Sequence, residues 1–149
     1  MKILLAVDGS KFSEAATTQL IAQVKAENTE VHLLHAAEPF PESLAKEMGG
    51  KDYLNFAGAR LQRRTWSEEL LAQTGEKLKS AGFRVTSSVE EGDPKSVILN
   101  AAEGWGADLI VVGSHGHRGL ERFLIGSVAE AVARYARCSV EIVRGRYGS

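Results

Sequence analysis

Five short apolar runs recur along the chain, and most of them are too continuous to alternate between a buried and an exposed face. Runs of this kind are typical of strands that are covered on both faces. The predicted strands, in chain order, are residues 2–7, 31–37, 85–89, 108–112 and 140–143. The third run is weaker and more polar than the others, which indicates a strand at the edge of a sheet.

Amphipathic stretches with helix-start signals lie between these runs. Ser10 follows the first run as a predicted N-cap, and Asp93 is the predicted N-cap of the helix before the fourth run. Ser127, with Glu130 three residues later, forms a capping box that predicts a helix over 127–137. Because strands alternate with helices, the pattern predicts βαβ units and a parallel sheet with right-handed crossovers.

One stretch departs from this alternation. Residues 38–58 contain two prolines and a pair of glycines, which predicts a mobile loop with room for a short helix. Residues 61–81 then predict a long amphipathic helix. The basic run at 60–64 (RLQRR) is interpreted as a solvated helix face. The alternative is that this run approaches a ligand when the preceding loop folds over the ligand site.

Length and composition narrow the choice of protein class. A chain of 149 residues with 44% hydrophobic and 25% charged residues fits one domain, residues 1–149. A formal net charge of -1 argues against a nucleic-acid partner. The single cysteine, Cys138, excludes an intramolecular disulfide and a thiolate metal cage. No run is long enough to span a membrane or to act as a signal peptide, so we expect a cytoplasmic protein with no membrane partner.

The stretch VGSHGHRGLERFLIGS, which follows the fourth run, combines glycines with hydrogen-bond donors. The glycines are Gly113, Gly116, Gly119 and Gly126, and the donor side chains are His115, His117 and Arg118. Glycine admits backbone angles closed to other residues and lets a ligand approach main-chain N–H groups, which bind anions in such turns. Ser127 stands at a helix start, where phosphates also bind. The stretch predicts an anion site; the alternative is a flexible connection in which Ser127 only caps its own helix.

A carboxylate stands where the first run ends. Ligands of open parallel sheets bind beyond the carboxyl ends of the strands, so Asp8 and Gly113 would face one crevice if strands one and four are neighbours. We interpret Asp8 as an acceptor for ribose hydroxyls or as a metal ligand; the alternative is a turn residue, because Asp-Gly favours turns. Haloacid-dehalogenase-like phosphatases carry the motif DxDG[ST] at the end of their first strand. That alternative is set aside because Ala6 stands where the motif has its nucleophilic aspartate.

The spacing G-x2-G-x9-G-[ST], from Gly113 to Ser127, is similar to that of the universal stress protein family, in particular its ATP-binding branch. The resemblance extends to KILLAVDGS at the start, LLHA in the second run, GDPKSVILNAAEGWGADLIVVGSHG in the second half, and LIGSVAEAVARYARCSVEIVR at the end. It implies a doubly wound, five-stranded parallel sheet of order 3-2-1-4-5 with helices on both faces. This architecture is Rossmann-like, of the adenine nucleotide alpha hydrolase type.

The resemblance also implies a ligand and the residues that hold it. The ligand is ATP, or ADP or AMP, with Mg or Mn carried by the phosphates. Gly113, Gly116, Gly126 and Ser127 would contact the phosphates and ribose, and Asp8, with Ala6 and Val7, the adenine and ribose. Ala36 and Val112 would lie against the base, while His115 and Val128 would contribute backbone groups. The complete candidate set is Ala6, Val7, Asp8, Ser10, Ala36, Val112, Gly113, His115, Gly116, His117, Arg118, Gly126, Ser127 and Val128.

The expected function is that of a nucleotide-dependent regulator in stress response, with no dedicated catalytic residues. One alternative is an enzyme that hydrolyses ATP slowly, with His115 or His117 assisting water, or that transfers phosphoryl or adenylyl groups. A second alternative is an interaction module without a nucleotide. The family also pairs its last strand in a homodimer, here residues 140–143. Glu141 departs from the apolar residue usual in that strand and puts the dimer geometry in question.

Overall fold

The computed structural model describes residues 1–39, 51–116 and 124–145, and within these ranges the chain alternates strands with helices. The strands are β1 (Lys2–Ala6), β2 (Glu30–Ala37), β3 (Arg84–Glu91), β4 (Leu109–Gly113) and β5 (Ser139–Val143). The helices are α1 (Lys11–Gln23), α2 (Lys51–Ser80), α3 (Pro94–Trp105) and α4 (Ser127–Tyr135). Each of the predicted strands is present, with ends that differ by one or two residues.

The strands form one parallel sheet of order β3-β2-β1-β4-β5, as predicted. The predicted edge position of the polar strand is also confirmed, since within the described ranges β3 pairs with β2 alone. Strand order reverses beside β1, because β2 lies on one side of it and β4 on the other. This is the point at which open α/β sheets bind ligands.

Each face of the sheet is covered by its own apolar core. Successive strand residues point to opposite faces, so Ile3 and Leu5 enter one core and Leu4 enters the other. The first core is completed by Leu20 of α1 and by Leu71 and Leu78 of α2. The second is completed by residues of α3 and α4, namely Ile98, Ala102, Ala129 and Val132. The continuous apolar runs in the sequence follow from this double coverage.

Two of the predicted helix starts are confirmed. The Ser10 side chain accepts a hydrogen bond from Ser13 N, and the Asp93 side chain accepts one from Ser96 N. The helix that begins after Asp93 ends at Gly106, whose φ of 75° is readily adopted only by glycine.

The prediction for 38–58 is wrong over its last part, because residues 51–58 belong to α2. Residues 40–50 lie outside the described ranges. The prolines and the glycine pair that suggested a loop all precede Lys51, and Gly58 has no neighbour that a Cβ would meet. In the described ranges, no helix, α2 included, is long and apolar enough to cross a membrane.

Candidate functional site

A large crevice opens at the carboxyl ends of β1, β2, β3 and β4. Its volume is about 1270 Å³, above the roughly 300–1,000 Å³ of ordinary small-molecule sites. Asp8, after β1, and Gly113, at the end of β4, both line it because these strands are neighbours. The sequence-based expectation that the two residues face one crevice is therefore confirmed.

Most of the candidate residues share this crevice. Those that line it are Ala6, Val7, Asp8, Ala36, Val112, Gly113, His115, Gly116, Gly126, Ser127 and Val128. Ser10 is not part of the lining; it is buried and caps α1. His117 and Arg118 lie outside the described residues, as does Gly119.

Asp8 combines the turn role and the site-facing position that the sequence left as alternatives. Its Oδ1 accepts a hydrogen bond from Ser10 N at 2.9 Å, which fixes the turn into α1. Its Oδ2 lies on the side of Gly116, where an added Cβ would stand 3.0 Å away. Gly9 completes the turn with a φ of 80°. The Asp-Gly turn therefore orients the carboxylate toward the glycine stretch.

The glycines of the stretch provide space rather than unusual backbone angles. None of Gly113, Gly116 and Gly126 has a positive φ, so the expectation of special angles is wrong for these three. A Cβ on Gly113 would stand 2.7 Å from the Phe12 carbonyl carbon, which means that β4 packs directly against α1. A Cβ on Gly126 would stand 3.0 Å from Ser114 O. Two of these glycines thus bring protein segments together, and Gly116 keeps open the space beside Asp8.

The start of α4 also differs from the capping box that the sequence predicts. Gly126 is the N-cap and makes no side-chain cap hydrogen bond, while Ser127 is the first helical residue. Glu130 pairs instead with Arg134, one turn later, at 3.0 Å. The first bond of the helix runs from Glu130 N to Gly126 O. The N–H groups of residues 127–129 therefore have no partner within the helix, and Ser127 lines the crevice.

His115 lines the crevice, but its side chain is held by contacts within the protein. The residue is 5% exposed. Its Nδ1 shares a hydrogen bond with Ser114 Oγ at 2.9 Å, and its ring packs against Phe12 at 4.9 Å between centroids. These contacts hold the imidazole and support the turn after β4.

The N-terminal half of α2 forms a wall that the sequence analysis offered only as an alternative. Arg60, Arg63 and Arg64 of the basic run line the crevice, together with Trp66. Arg60 lies 3.6 Å from Glu91 at the end of β3, and Arg64 pairs within the helix with Glu68 at 3.4 Å. The i, i+3, i+4 spacing of these cations was the signal available in the sequence.

The histidines of β2 lie on opposite faces of the sheet. His35 Nδ1 donates to Val7 O at 2.7 Å, and its ring meets the Trp66 ring edge-on at 5.6 Å. His32 bonds the hydroxyls of Thr86 and Ser88 at 2.7 and 2.9 Å. Burial lowers the pKa of His32 below its ordinary value of 6.5. Within the described ranges, no three His, Cys, Asp or Glu side chains lie together as metal ligands.

The comparisons with known proteins agree with this architecture. The sequence matches the model of the universal stress protein family over residues 1–144. The chain belongs to this family. A putative universal stress protein of Staphylococcus epidermidis is 33% identical over 144 residues, which are 95% of this chain and 82% of that protein.

Solved structures of the family share the fold. The universal stress protein UspA from Lactobacillus plantarum superimposes with a TM-score of 0.79 at 20% identity, over 97% of both chains. A family member from Arabidopsis thaliana, with AMP bound, gives a TM-score of 0.74 at 20% identity, over 99% of this chain and 93% of that one. At these identities the likeness concerns the sheet and its helices.

Proposed function

We propose that this universal stress protein binds an adenine nucleotide, ATP or else ADP or AMP, and acts as a nucleotide-dependent regulator. The observation that carries the proposal is the arrangement around Gly116. The Asp8 carboxylate lies on one side of the crevice, and the free N–H groups at the start of α4 lie on the other. One side accepts hydroxyl hydrogens and the other binds anions, as a ribose phosphate requires. The AMP held by the Arabidopsis protein of the same fold supports adenine as the base.

Each part of the nucleotide has a matching part of the crevice. Ala6, Ala36 and Val112 offer small apolar surfaces for the base. Asp8 accepts from the ribose hydroxyls. The N–H groups of Ser127 and Val128, at the positive end of the α4 dipole, face the phosphates. Gly116 keeps a side chain out of the space between these groups.

A divalent cation would be held mainly by the nucleotide. The described part of the crevice supplies Asp8 as a hard oxygen ligand but no cluster of three metal-ligating side chains. Magnesium accepts such an arrangement, because it retains waters and binds through phosphate oxygens and few carboxylates. The cation would neutralise phosphate charge beside Asp8.

The placement of His115 supports a regulator over an ATP hydrolase. A general base must lie within hydrogen-bond reach of the attacking water. The His115 ring is buried against Phe12 and bonded to Ser114. Its Nδ1 is thus already engaged within the protein. His117, the other histidine considered for that role, lies outside the described residues.

We also propose a homodimer that pairs the β5 edges of two copies, in the cytoplasm and without nucleic acid or membrane partners. Val140 and Ile142 are half-buried on the core of their own chain. Glu141 accepts a hydrogen bond from Gln23 of α1, so its carboxylate is held against its own protomer and leaves the edge available. Light scattering of the purified chain should give twice the monomer mass. A monomer at micromolar concentration would refute the dimer.

The proposed nucleotide site is tested by calorimetry with ATP, ADP and AMP, each with and without magnesium. Ser127→Asp places a negative charge at the helix start, which stabilises α4 but repels a phosphate. We expect affinity to fall by about tenfold or more. The matched control is Asn100→Asp, which adds the same charge on an exposed position of α3 outside the crevice. Equal affinities in the two variants, or no binding by the folded parent, would refute the proposal.

A further inference from the structure

The lining of the crevice comes from both faces of the sheet, and the part on each face is called a lobe here. Residues of opposite parity at the ends of β1 and β2 face opposite cores. Ala6 and Ala36 face the α3 and α4 side, where Val112 and Ser127 complete the proposed nucleotide site. The second lobe, called the α2 lobe here, lies on the other face. It is lined by Val7, Ser13, His35, Trp66, Ser67 and Leu71.

The long helix creates this second lobe. Thirty residues of α2 extend about 45 Å, whereas the eight residues of the neighbouring β3 extend about 26 Å. From Ser67 onward one side of α2 is buried on the sheet, but every residue from 57 to 66 is exposed. Trp66 therefore stands where the helix leaves the sheet, and 45% of its surface is exposed.

His35 gives the lobe an oriented hydrogen-bond acceptor. A carbonyl oxygen can only accept, so the bond to Val7 O means that Nδ1 carries the proton. In the neutral ring Nε2 is then an acceptor. Within the described residues Nε2 makes no hydrogen bond, whereas every fully buried side-chain nitrogen or oxygen there does. Nε2 is therefore in contact with solvent. Because His35 is only 8% exposed and lines the crevice, that solvent is in the crevice.

The two serine hydroxyls of the lobe are engaged in hydrogen bonds within the protein. Ser67 Oγ donates to Arg63 O, and Ser13 Oγ donates to Ser10 O while accepting from Asp8 N. Leu71 and Val7 are apolar. The residues named here thus present an indole surface, apolar side chains and, at His35 Nε2, an acceptor of fixed direction.

We propose that the α2 lobe is a second binding site, for a small planar aromatic molecule that carries one hydrogen-bond donor. The ring of the ligand packs beside Trp66 and Leu71, and its N–H or O–H donates to His35 Nε2. Aromatic packing and an oriented polar contact together select such a ligand over an aliphatic one. This site does not depend on the nucleotide, because the two lobes lie on opposite faces of the sheet.

Tryptophan fluorescence tests the proposal, because the chain has two tryptophans in different places. Trp105 lies at the amino-terminal edge of the sheet, with the Lys2 ammonium 5.3 Å from its ring centroid. Trp105→Phe leaves only Trp66 to emit, and Trp66→Phe is the matched control. The probes are p-nitroaniline, which has an N–H donor, and its N,N-dimethyl derivative, which has none. Both are neutral at neutral pH and absorb where tryptophan emits.

We expect p-nitroaniline to quench Trp66 saturably and the dimethyl derivative to bind about tenfold more weakly. His35→Asn keeps a donor for Val7 O but lacks the second ring nitrogen. It should weaken the binding of p-nitroaniline by the same factor of about ten. Trp105 in the control should be quenched less strongly at saturation, because it lies at the opposite end of the strands. Added AMP should leave the quenching of Trp66 unchanged.

Three results would overturn the second site. These are quenching that rises linearly without saturation, equal affinity for the two probes, and displacement of p-nitroaniline by AMP. If His35→Asn fails to fold, the probe pair and the two tryptophan variants still decide. Failure here leaves the nucleotide proposal standing, because that proposal is measured by calorimetry on the other lobe.

Discussion

A methyl group on Gly116 would stand 3.0 Å from Oδ2 of Asp8, although 108 residues of sequence separate the two. The contact joins the turn after β1 to the turn after β4, which parallel pairing brings side by side. The carboxylate therefore faces backbone without a side chain between them. A ligand can reach both at once.

The glycines of the stretch should divide into two kinds when each is replaced by alanine. Gly116→Ala places its Cβ beside the Asp8 carboxylate, so we expect nucleotide affinity to fall by about tenfold with little change in stability. Gly113→Ala forces a Cβ against Phe12 backbone at 2.7 Å, and should cost about 1–3 kcal/mol of stability. Calorimetry and urea denaturation measure the two effects.

The control for both is Gly104→Ala on α3, where an added Cβ meets nothing within 4 Å. Alanine there should leave affinity unchanged and raise stability slightly, because glycine is a weak helix former. If Gly113→Ala were as stable as the parent, the close packing of β4 on α1 would be in error.

Asp8→Asn tests whether the carboxylate binds ribose. Asparagine retains an oxygen for Ser10 N, so the turn should persist. A hydrogen bond to a charged acceptor contributes about 1.5–3 kcal/mol, so ATP affinity should fall by about tenfold or more. The parent should prefer ATP to 2′,3′-dideoxy-ATP, and the variant should lose that preference. A loss that disappears when magnesium is removed would assign Asp8 to the metal instead.

Ser10→Ala and Ser127→Ala should differ in stability although both serines stand at helix starts. The Ser10 hydroxyl accepts from Ser13 N at 3.2 Å, so its removal should cost about 1 kcal/mol. Ser127 is already inside α4, behind the Gly126 cap, so its removal should change stability by less than about 0.5 kcal/mol. Equal losses of stability in urea denaturation would mean that the Ser127 side chain caps α4 after all.

Stability should fall in mild acid through His32. Burial lowers the pKa of its folded form below 6.5, although the nearby Glu90 acts in the opposite direction. The unfolded chain then binds more protons than the folded chain between the two pKa values. Above a pH of about 6.5 the ring is neutral in both states, and stability is highest. Stability is then lost as the pH falls from there toward the lower pKa of the folded state. Thermal melting across this range should show a shallower slope for His32→Gln than for the parent.

The sheet could be predicted from sequence because both of its faces are covered. Double coverage demands continuous apolar runs such as Ile3–Leu5 within β1, and those runs are visible without knowledge of their partners. The long helix was harder to predict at its start. Among the described side chains of this part, those of Asn55 and Ala57 are exposed, so no buried stripe marks the start of the helix.

The candidate site was predictable in its loops but not in its second wall. Gly113 and Gly116 form a recognisable spacing, yet the reason for Gly113 is the approach of Phe12, which only the fold reveals. The cap at Gly126 was missed because a serine followed by a glutamate satisfies the sequence rule for a capping box equally well. Trp66 and His35 meet across 31 residues of sequence through one ring contact, which no local pattern encodes.

The exposed half of α2 has a consequence for how the protein opens. Residues 57–65 are exposed and are held by their own backbone bonds and by surface pairs such as Arg60–Glu91, whereas Trp66 meets the buried His35 and Ser67 to Leu78 include positions anchored in the core. Local unfolding therefore has a natural boundary just before Trp66. The amino-terminal turns can unwind while the sheet stays intact. Fraying of this helix end then removes part of the crevice wall, and no hinge between rigid bodies is needed for it.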